Sequence, residues 1–307
     1  MGFDRILIVD WSASAKPSPR RPSKDAIWMA EAGADTMPPR YCRTRHDAMA
    51  LVLARCDAAL VAGQRLLIGW DFPMGYPAGF AEAACGEAGA LALWARLAEM
   101  VRDAPDNANT RFDVAARLNR DTPGQGPFWG CPPRAVQPGL TMTKPRSDVM
   151  FPERRLVEDR VRSAQPCWKL FTTGSVGSQA ILGIARLQAL RQRLGPQVAV
   201  WPFEPWDNAP IVLAEVYPSL LDAAVRARVA DHDPPIKDAV QVECLAGALH
   251  GIGPEVLACG LEAATGPHLA EEGWILGVGI EEALQVAAGQ VVFGGGGINP
   301  ALQGRTP

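Results

Sequence analysis

Two short apolar runs in this chain each close on an acid. Residues 6–10 read I-L-I-V-D and end in Asp10; residues 65–71 read R-L-L-I-G-W-D and end in Asp71. A third run, 211–217, carries Glu215, and a late helical segment has Asp238 in its first turn. Carboxylates brought together raise one another's pKa, so a group of them keeps its charge only beside a cation. Their hard oxygens suit Mg2+ or Mn2+. Two such ions about 3.5–4 Å apart activate a water and stabilise the leaving oxygen in phosphodiester hydrolysis. Asp10, Asp71, Glu215 and Asp238 are therefore the candidate catalytic residues and metal ligands. Each also has a plainer reading. A strand-end Asp forms turns or caps helices, Glu215 can bind an arginine, and Asp238 suits the positive end of a helix.

A second chemistry is phosphate binding. Gly174-Ser175-Val176-Gly177-Ser178 stands before a helical run, where backbone N–H groups and a helix N-terminus can cradle a phosphate. The segment lacks the G-K-[ST] of a P-loop, and a Gly/Ser turn explains it as well. Asp10-Trp11-Ser12-Ala13-Ser14-Ala15-Lys16 resembles the first phosphate loop of the actin/sugar-kinase fold, where hydroxyls and a Lys follow a strand-end Asp. Ser12, Gly174, Ser175, Gly177 and Ser178 are accordingly candidate nucleotide contacts. No second loop of that kind follows downstream, so a nucleotide-dependent phosphotransferase ranks behind the hydrolase. Phe128, Trp129, Trp168, Phe171, Trp201, Phe203 and Trp206 can stack bases, but packing of loops onto a sheet explains them better. Asp231, His232 and Asp233 lie in a loop, where a lone His faces solvent more often than it serves as a catalytic group or ligand. Lys169, Arg154 and Arg155 offer positive charge. There is no C-x-x-C pair, G-x-S-x-G elbow or dinucleotide fingerprint, which disfavours Cys or Ser nucleophile chemistry.

The elements that must position these groups follow from periodicity. Residues 6–10, 26–31 and a weaker run near 40–43 read as a three-stranded meander. A helix spans 47–62, and 65–71 is a buried strand. From about 79 to 165 lies an insertion, helical near 89–101 and 107–120, then Gly/Pro-rich from 121 to 152. A helix follows from about 173 to 193, then strands at 198–201 and 211–217. Pro218 fits the first turn of the next helix, and 237–249 is a further one. A tail at about 290–307, with glycines at 294–297, reads as flexible. A meander followed by alternating helices and strands gives a mixed sheet with helices on its faces.

Composition sets few further bounds. The 307 residues are 48% hydrophobic and 21% charged, enough to bury a large core. A net charge of −3 gives no global attraction to nucleic acid, although a local basic patch suffices to hold a phosphate backbone. Seven scattered cysteines suggest reduced thiols, and there is no apolar stretch of about 18 residues or more. The expectation is a soluble, cytoplasmic protein without a membrane partner.

The motifs, taken in order, resemble the predicted RNase H-like nuclease family. They are V-D-W-S at 9–12, G-W-D-F-P at 69–73, A-E-V-Y-P at 214–218, K-D-A at 237–239, E-G-W-I at 272–275 and R-R-L-V-E at 154–158. The resemblance runs in patches from about residue 5 to 276 and leaves 79–150 unmatched. Trp11-Ser12 departs from the family's glycine-bearing first motif, which touches substrate identity more than fold. What the resemblance implies is one α/β domain of the ribonuclease H-like type over 1–307. It would hold a mixed five-stranded sheet, flanking helices and a helical and loop insertion. The implied activity is metal-dependent phosphodiester hydrolysis acting on nucleic acid or a nucleotide. A third reading, beside the phosphotransferase, is a non-catalytic ribonuclease H-like module that binds a partner through its long aromatic insertion.

Overall fold

The computed structural model of the protein describes residues 2–146, 148–232 and 235–290. The expected tail from 291 onward and Asp233 lie outside the described residues. In chain order the elements are β1 (Arg5–Asp10), β2 (Ile27–Gly33), β3 (Met37–Cys42), α1 (Arg45–Ala62) and β4 (Leu66–Trp70). Four helices follow, α2 (Phe80–Cys85), α3 (Ala90–Met100), α4 (Arg111–Asp121) and α5 (Leu156–Arg160). Then come α6 (Gly177–Leu194), β5 (Val198–Val200), β6 (Ile211–Val216), α7 (Asp222–Arg228) and α8 (Lys237–Gly251). The described chain closes with α9 (Gly253–Glu262), α10 (Leu269–Glu272), β7 (Ile275–Leu276) and α11 (Glu281–Gln290).

The strands form one mixed sheet in the order β3-β2-β1-β4-β6-β5. β2 runs antiparallel to both β1 and β3, whereas β1, β4, β6 and β5 are parallel. β7 pairs with β6 at Glu215 and Val216, beyond the stretch that β5 covers. The sheet thus has seven strands where five were expected. Beyond a five-stranded core lie two short pieces, the three-residue β5, read in the sequence at 198–201, and the two-residue β7, which was not. Strand periodicity needs about four residues to register, so β7 left no trace in the sequence pattern.

Side-chain alternation divides the strands between two apolar layers. Leu7 and Val9, with Ile68 and Leu213, face α1, α3 and α6. Ile6 and Ile8, with Leu67 and Ala214, face α8, α9 and α11. Both layers are needed because parallel strands bury both faces. The helix read from 47 begins two residues earlier: Thr44 caps it, its Oγ1 accepting the Asp47 N–H at 3.1 Å, and Gly63 closes it at φ 64°. Gly183 on α6 is where Phe72 rests. A Cβ there would lie 2.3 Å from the Phe72 ring, so no side chain fits while the ring keeps its place after Asp71.

The 79–165 insertion lies against the first layer and contributes to its core. Phe128 and Trp168 join Tyr76, Phe80 and Phe151 in a cluster of ring contacts, and Trp201 is buried in the second layer. These aromatics are packing. Phe171 differs, being 39% exposed. All seven cysteines are free thiols. Among the described residues no single helix is long and apolar enough to cross a membrane; the α8–α9 pair passes by length and composition but is bent by 104°.

Candidate active site

Strand register places the first two acids. Val9 pairs with Trp70 in the parallel β1–β4 ladder, and the Asp71 N–H donates to the Val9 carbonyl at 3.0 Å. Asp10 and Asp71 are the next residues on these strands, neighbours across an inter-strand spacing of about 4.8 Å. Alternation sends Asp10 to the face of Ile6 and Ile8, and Asp71 to that of Leu67. α8 covers this face, and its first turn carries Asp238. The three aspartates line one cleft of about 550 Å³, together with Ser12, Asp25, Arg111, Ser175, Ser178 and Gln179.

Glu215 is not part of that cleft. It pairs with Trp70 in register, so its side chain leaves the sheet on the α6 face, opposite to Asp10. There Arg155 grips it in bidentate fashion, Nη1 to Oε2 at 2.7 Å and Nη2 to Oε1 at 2.6 Å, and the Met74 N–H donates to Oε2 at 2.9 Å. Both oxygens are occupied. The expectation that Glu215 completes a metal shell gives way to its plainer reading, a buried ion pair. Arg155 also donates to Glu158 and to the Glu272 carbonyl, so it joins β6 to α5 and to the end of α10. The charge expected from Arg155 is likewise spent inside.

The other deeply buried acids are provided for in the same way. Glu31 takes Arg5 and Arg55, and Asp103 takes Arg45 and Arg186. Glu158 takes Arg155, and Glu272 accepts the backbone N–H groups of Ala78 and Leu156. Asp10 and Asp71 have no such provision. Among the described residues neither carboxylate has an arginine, a lysine or a side-chain hydrogen bond. Burial pushes the Asp10 carboxyl well above the usual carboxylate range, and the charges of Asp71, Asp238 and Asp25 push it further. Burial carries Asp71 up to about 7, helped by Glu215 and Asp238. Burial also raises Asp238, against the pull of the Asp25 N–H, which donates to its Oδ2 at 2.7 Å. Among the described residues no group of three or more His, Cys, Asp or Glu side chains is arranged to hold a metal ion as it stands. The pair Asp10–Asp71 is what the fold brings together.

The loop after Asp10 is held from three sides. Gln179 on α6 donates to the Trp11 carbonyl at 2.7 Å. Arg45, wholly buried at the start of α1, donates to the carbonyls of Ser12 and Ser14 at 3.0 and 2.8 Å. Asn107 donates to the Lys16 carbonyl at 3.2 Å. Ser12 itself is committed: its Oγ donates to the Asp25 carbonyl at 3.2 Å and accepts the Ser14 N–H at 3.3 Å.

The Gly174–Ser178 turn is a cradle only in part. Ser175 and Ser178 line the cleft, whereas Gly174 and Gly177 do not. The Gly177 N–H donates to the Lys169 carbonyl at 3.0 Å, and a Cβ at Gly177 would sit 2.2 Å from the Cys167 carbonyl oxygen. That glycine serves close packing, and its N–H is not free for a phosphate. Lys169 donates to the Thr173 carbonyl at 2.7 Å. His232 contacts Glu243 at 2.8 Å rather than facing solvent freely.

Asp25, Arg111 and Gln179 are among the cleft residues that escaped the sequence pattern. Asp25 sits at φ 57° in what reads as an ordinary turn. Arg111 opens a helix inside the insertion, and only the chain's return to the sheet brings it to the cleft. Compared with protein-family models, with curated proteins and with solved structures, the chain matches none.

Proposed function

We propose that this chain is a ribonuclease H-like, divalent-metal-dependent phosphodiester hydrolase, a nuclease in type, with Asp10 and Asp71 as the metal-binding pair and Mg2+ or Mn2+ as the cation. One observation carries the reading. A chain that gives each of its deeply buried acids an arginine or backbone N–H groups leaves these two adjacent, half-buried carboxylates without either among the described residues. Two repelling acids at the carboxyl ends of parallel strands cost stability, and a cation removes that cost. The donor set consists of hard oxygens, which suits Mg2+ or Mn2+ and not a soft metal. Asp238 stands on the same face with only its Oδ2 engaged, so it is the third ligand in this reading.

The bound ion would supply positive charge to the phosphate and lower the pKa of an attacking water. The residues of the chain do the rest. Arg45 and Gln179 fix the backbone beyond Asp10, so the carboxylate need not be ordered when a ligand arrives. Lys16, Arg20, Arg21, Lys24 and Arg40 are exposed on the neighbouring loop and β3, and none is paired with an acid among the described residues. Such a local basic surface favours a polyanionic strand despite the net charge of −3. The sheet order β3-β2-β1-β4-β6, with α1 between β3 and β4, supports the ribonuclease H-like part of the proposal.

The phosphotransferase reading is weaker, because the Ser12 and Ser14 hydroxyls are bonded within their own loop. A purely non-catalytic module would pair Asp10 and Asp71 with arginines, as it does Glu215. The test is cleavage of labelled single- and double-stranded DNA and RNA with Mg2+ or Mn2+. Asp10→Asn is expected to abolish metal-dependent cleavage while leaving the fold intact. Equal cleavage by the variant overturns the proposal.

A further inference from the structure

The cleft contains a cation without an ion-pair partner among the described residues. Arg111 at the start of α4 donates from Nε to Ser178 Oγ at 3.0 Å and from Nη1 to Asn109 Oδ1 at 2.8 Å. Both partners are neutral. The second Nη1 hydrogen and both on Nη2 have no protein acceptor among the described residues, and no carboxylate lies within ion-pair distance. Burial, with the nearby charges of Arg45 and Arg134, brings this guanidinium down to about 10. Besides these neutral acceptors this half-buried arginine has the face of the Phe112 ring, 4.4 Å from its guanidinium carbon, so its charge is stacked but not paired with an acid.

The geometry relates the two. Ser178 and Gln179 are consecutive residues in the first turn of α6. The former holds Arg111, and the latter holds the Trp11 carbonyl, one residue beyond Asp10. Arg111 and the carboxylate pair line the same cleft. Ser178 is itself fixed, its Oγ donating to the buried Leu170 carbonyl at 2.7 Å, so it can orient the guanidinium as an acceptor without turning away. Ser175 and Thr172 add hydroxyls to this wall.

We propose that Arg111, oriented by Ser178 and Asn109, is a phosphate-binding subsite of this cleft, gripping a phosphate group of the substrate beside the Asp10–Asp71 pair. The fork of free N–H groups on Nη1 and Nη2 matches two phosphate oxygens. This deepens the hydrolase reading, since it names the part of the substrate held away from the carboxylates, but the subsite itself needs no metal. The phosphate can come from a nucleotide's terminal monoester or from a diester inside a strand.

The test is calorimetric binding of inorganic phosphate to the full chain in EDTA, for wild type, Arg111→Gln, Arg111→Lys and Asp10→Asn. Arg111→Gln is expected to weaken phosphate about 10- to 100-fold, the loss of one charge-assisted bidentate contact, with Arg111→Lys intermediate. Asp10→Asn should bind phosphate as tightly as wild type or more so. Equal binding by wild type and Arg111→Gln, or none by wild type, overturns the subsite. If Arg111→Gln does not fold, Ser178→Ala, which removes the Nε contact and the bond to the Leu170 carbonyl but keeps the guanidinium, is expected to weaken phosphate severalfold, and no change overturns the proposal. Competition separates the sources. A diester subsite is displaced by an unphosphorylated oligonucleotide, and a monoester subsite only by a mononucleotide or a 5′-phosphorylated strand; displacement by neither overturns the substrate assignment. Phosphate binding that persists in a chain with no metal-dependent cleavage sinks the hydrolase reading alone.

Discussion

Replacing Asp71 by Asn should make the metal-free protein more stable above neutral pH. The carboxyl is raised from 3.8 to about 7, so in the unfolded chain it ionises near pH 4 and in the folded chain near 7. Below pH 4 it is protonated in both states and the substitution changes nothing through this route. Between pH 4 and 7 the unfolded state has lost its proton and the folded state has kept it, so stability falls as pH rises. Above 7 the penalty is complete. Undiminished, such a shift is worth about 4 kcal/mol. Water at the cleft mouth screens the repulsion, and a net gain of roughly 1–3 kcal/mol is the expectation for the variant at pH 8. In a domain of this size that is about 2–8 °C in Tm. The assay is thermal unfolding in EDTA from pH 4 to 9, repeated with 10-fold steps of Mn2+. Mn2+ should stabilise wild type and not Asp71→Asn. A variant equal to or less stable than wild type at pH 8, with no pH-dependent difference, refutes the claim that these carboxylates lack a counter-charge.

Arg155→Met leaves Glu215 and Glu158 buried without their cation and is expected to cost about 3–5 kcal/mol by urea unfolding. Mn2+ affinity measured by calorimetry should rise with pH through about 7 as Asp71 loses its proton, by roughly tenfold per unit for each proton released. Gly183→Ala drives a methyl into the Phe72 ring and should cost about 1–3 kcal/mol in thermal or urea unfolding. The loss of metal-dependent cleavage in Asp10→Asn completes the set.

Much of the cleft was legible because strand ends carry two kinds of information at once. An apolar run that stops at an acid gives both the strand and the group it delivers, as with Asp10 and Asp71. The same rule failed for Glu215, and the reason is parity. Glu215 lies inside β6, in register with Trp70, and a shift of one residue along a strand sends the side chain to the other face. Counting from the shared ladder would have separated it from Asp71, but the ladder is a tertiary fact. Arg111 was hidden for a different reason. Its helix has an ordinary pattern, and its place beside Asp10 depends on how a long insertion returns to the sheet, which no local periodicity encodes. The Gly174–Ser178 turn showed the reverse error: glycine there answers to the close approach of the Cys167 and Lys169 carbonyls, not to a ligand.

Asp103 is a carboxylate shared by two arginines from different helices, Arg45 of α1 and Arg186 of α6. Arg45 spends its remaining donors on the Ser12 and Ser14 carbonyls just past Asp10 and on the Asn107 carbonyl, so the insertion, two helices and the loop after Asp10 meet at one charged knot. Spacing inside the cleft is therefore set partly by a residue outside it. Evolution can retune the distance between the acids and Arg111 by altering this junction while every group that touches substrate stays the same.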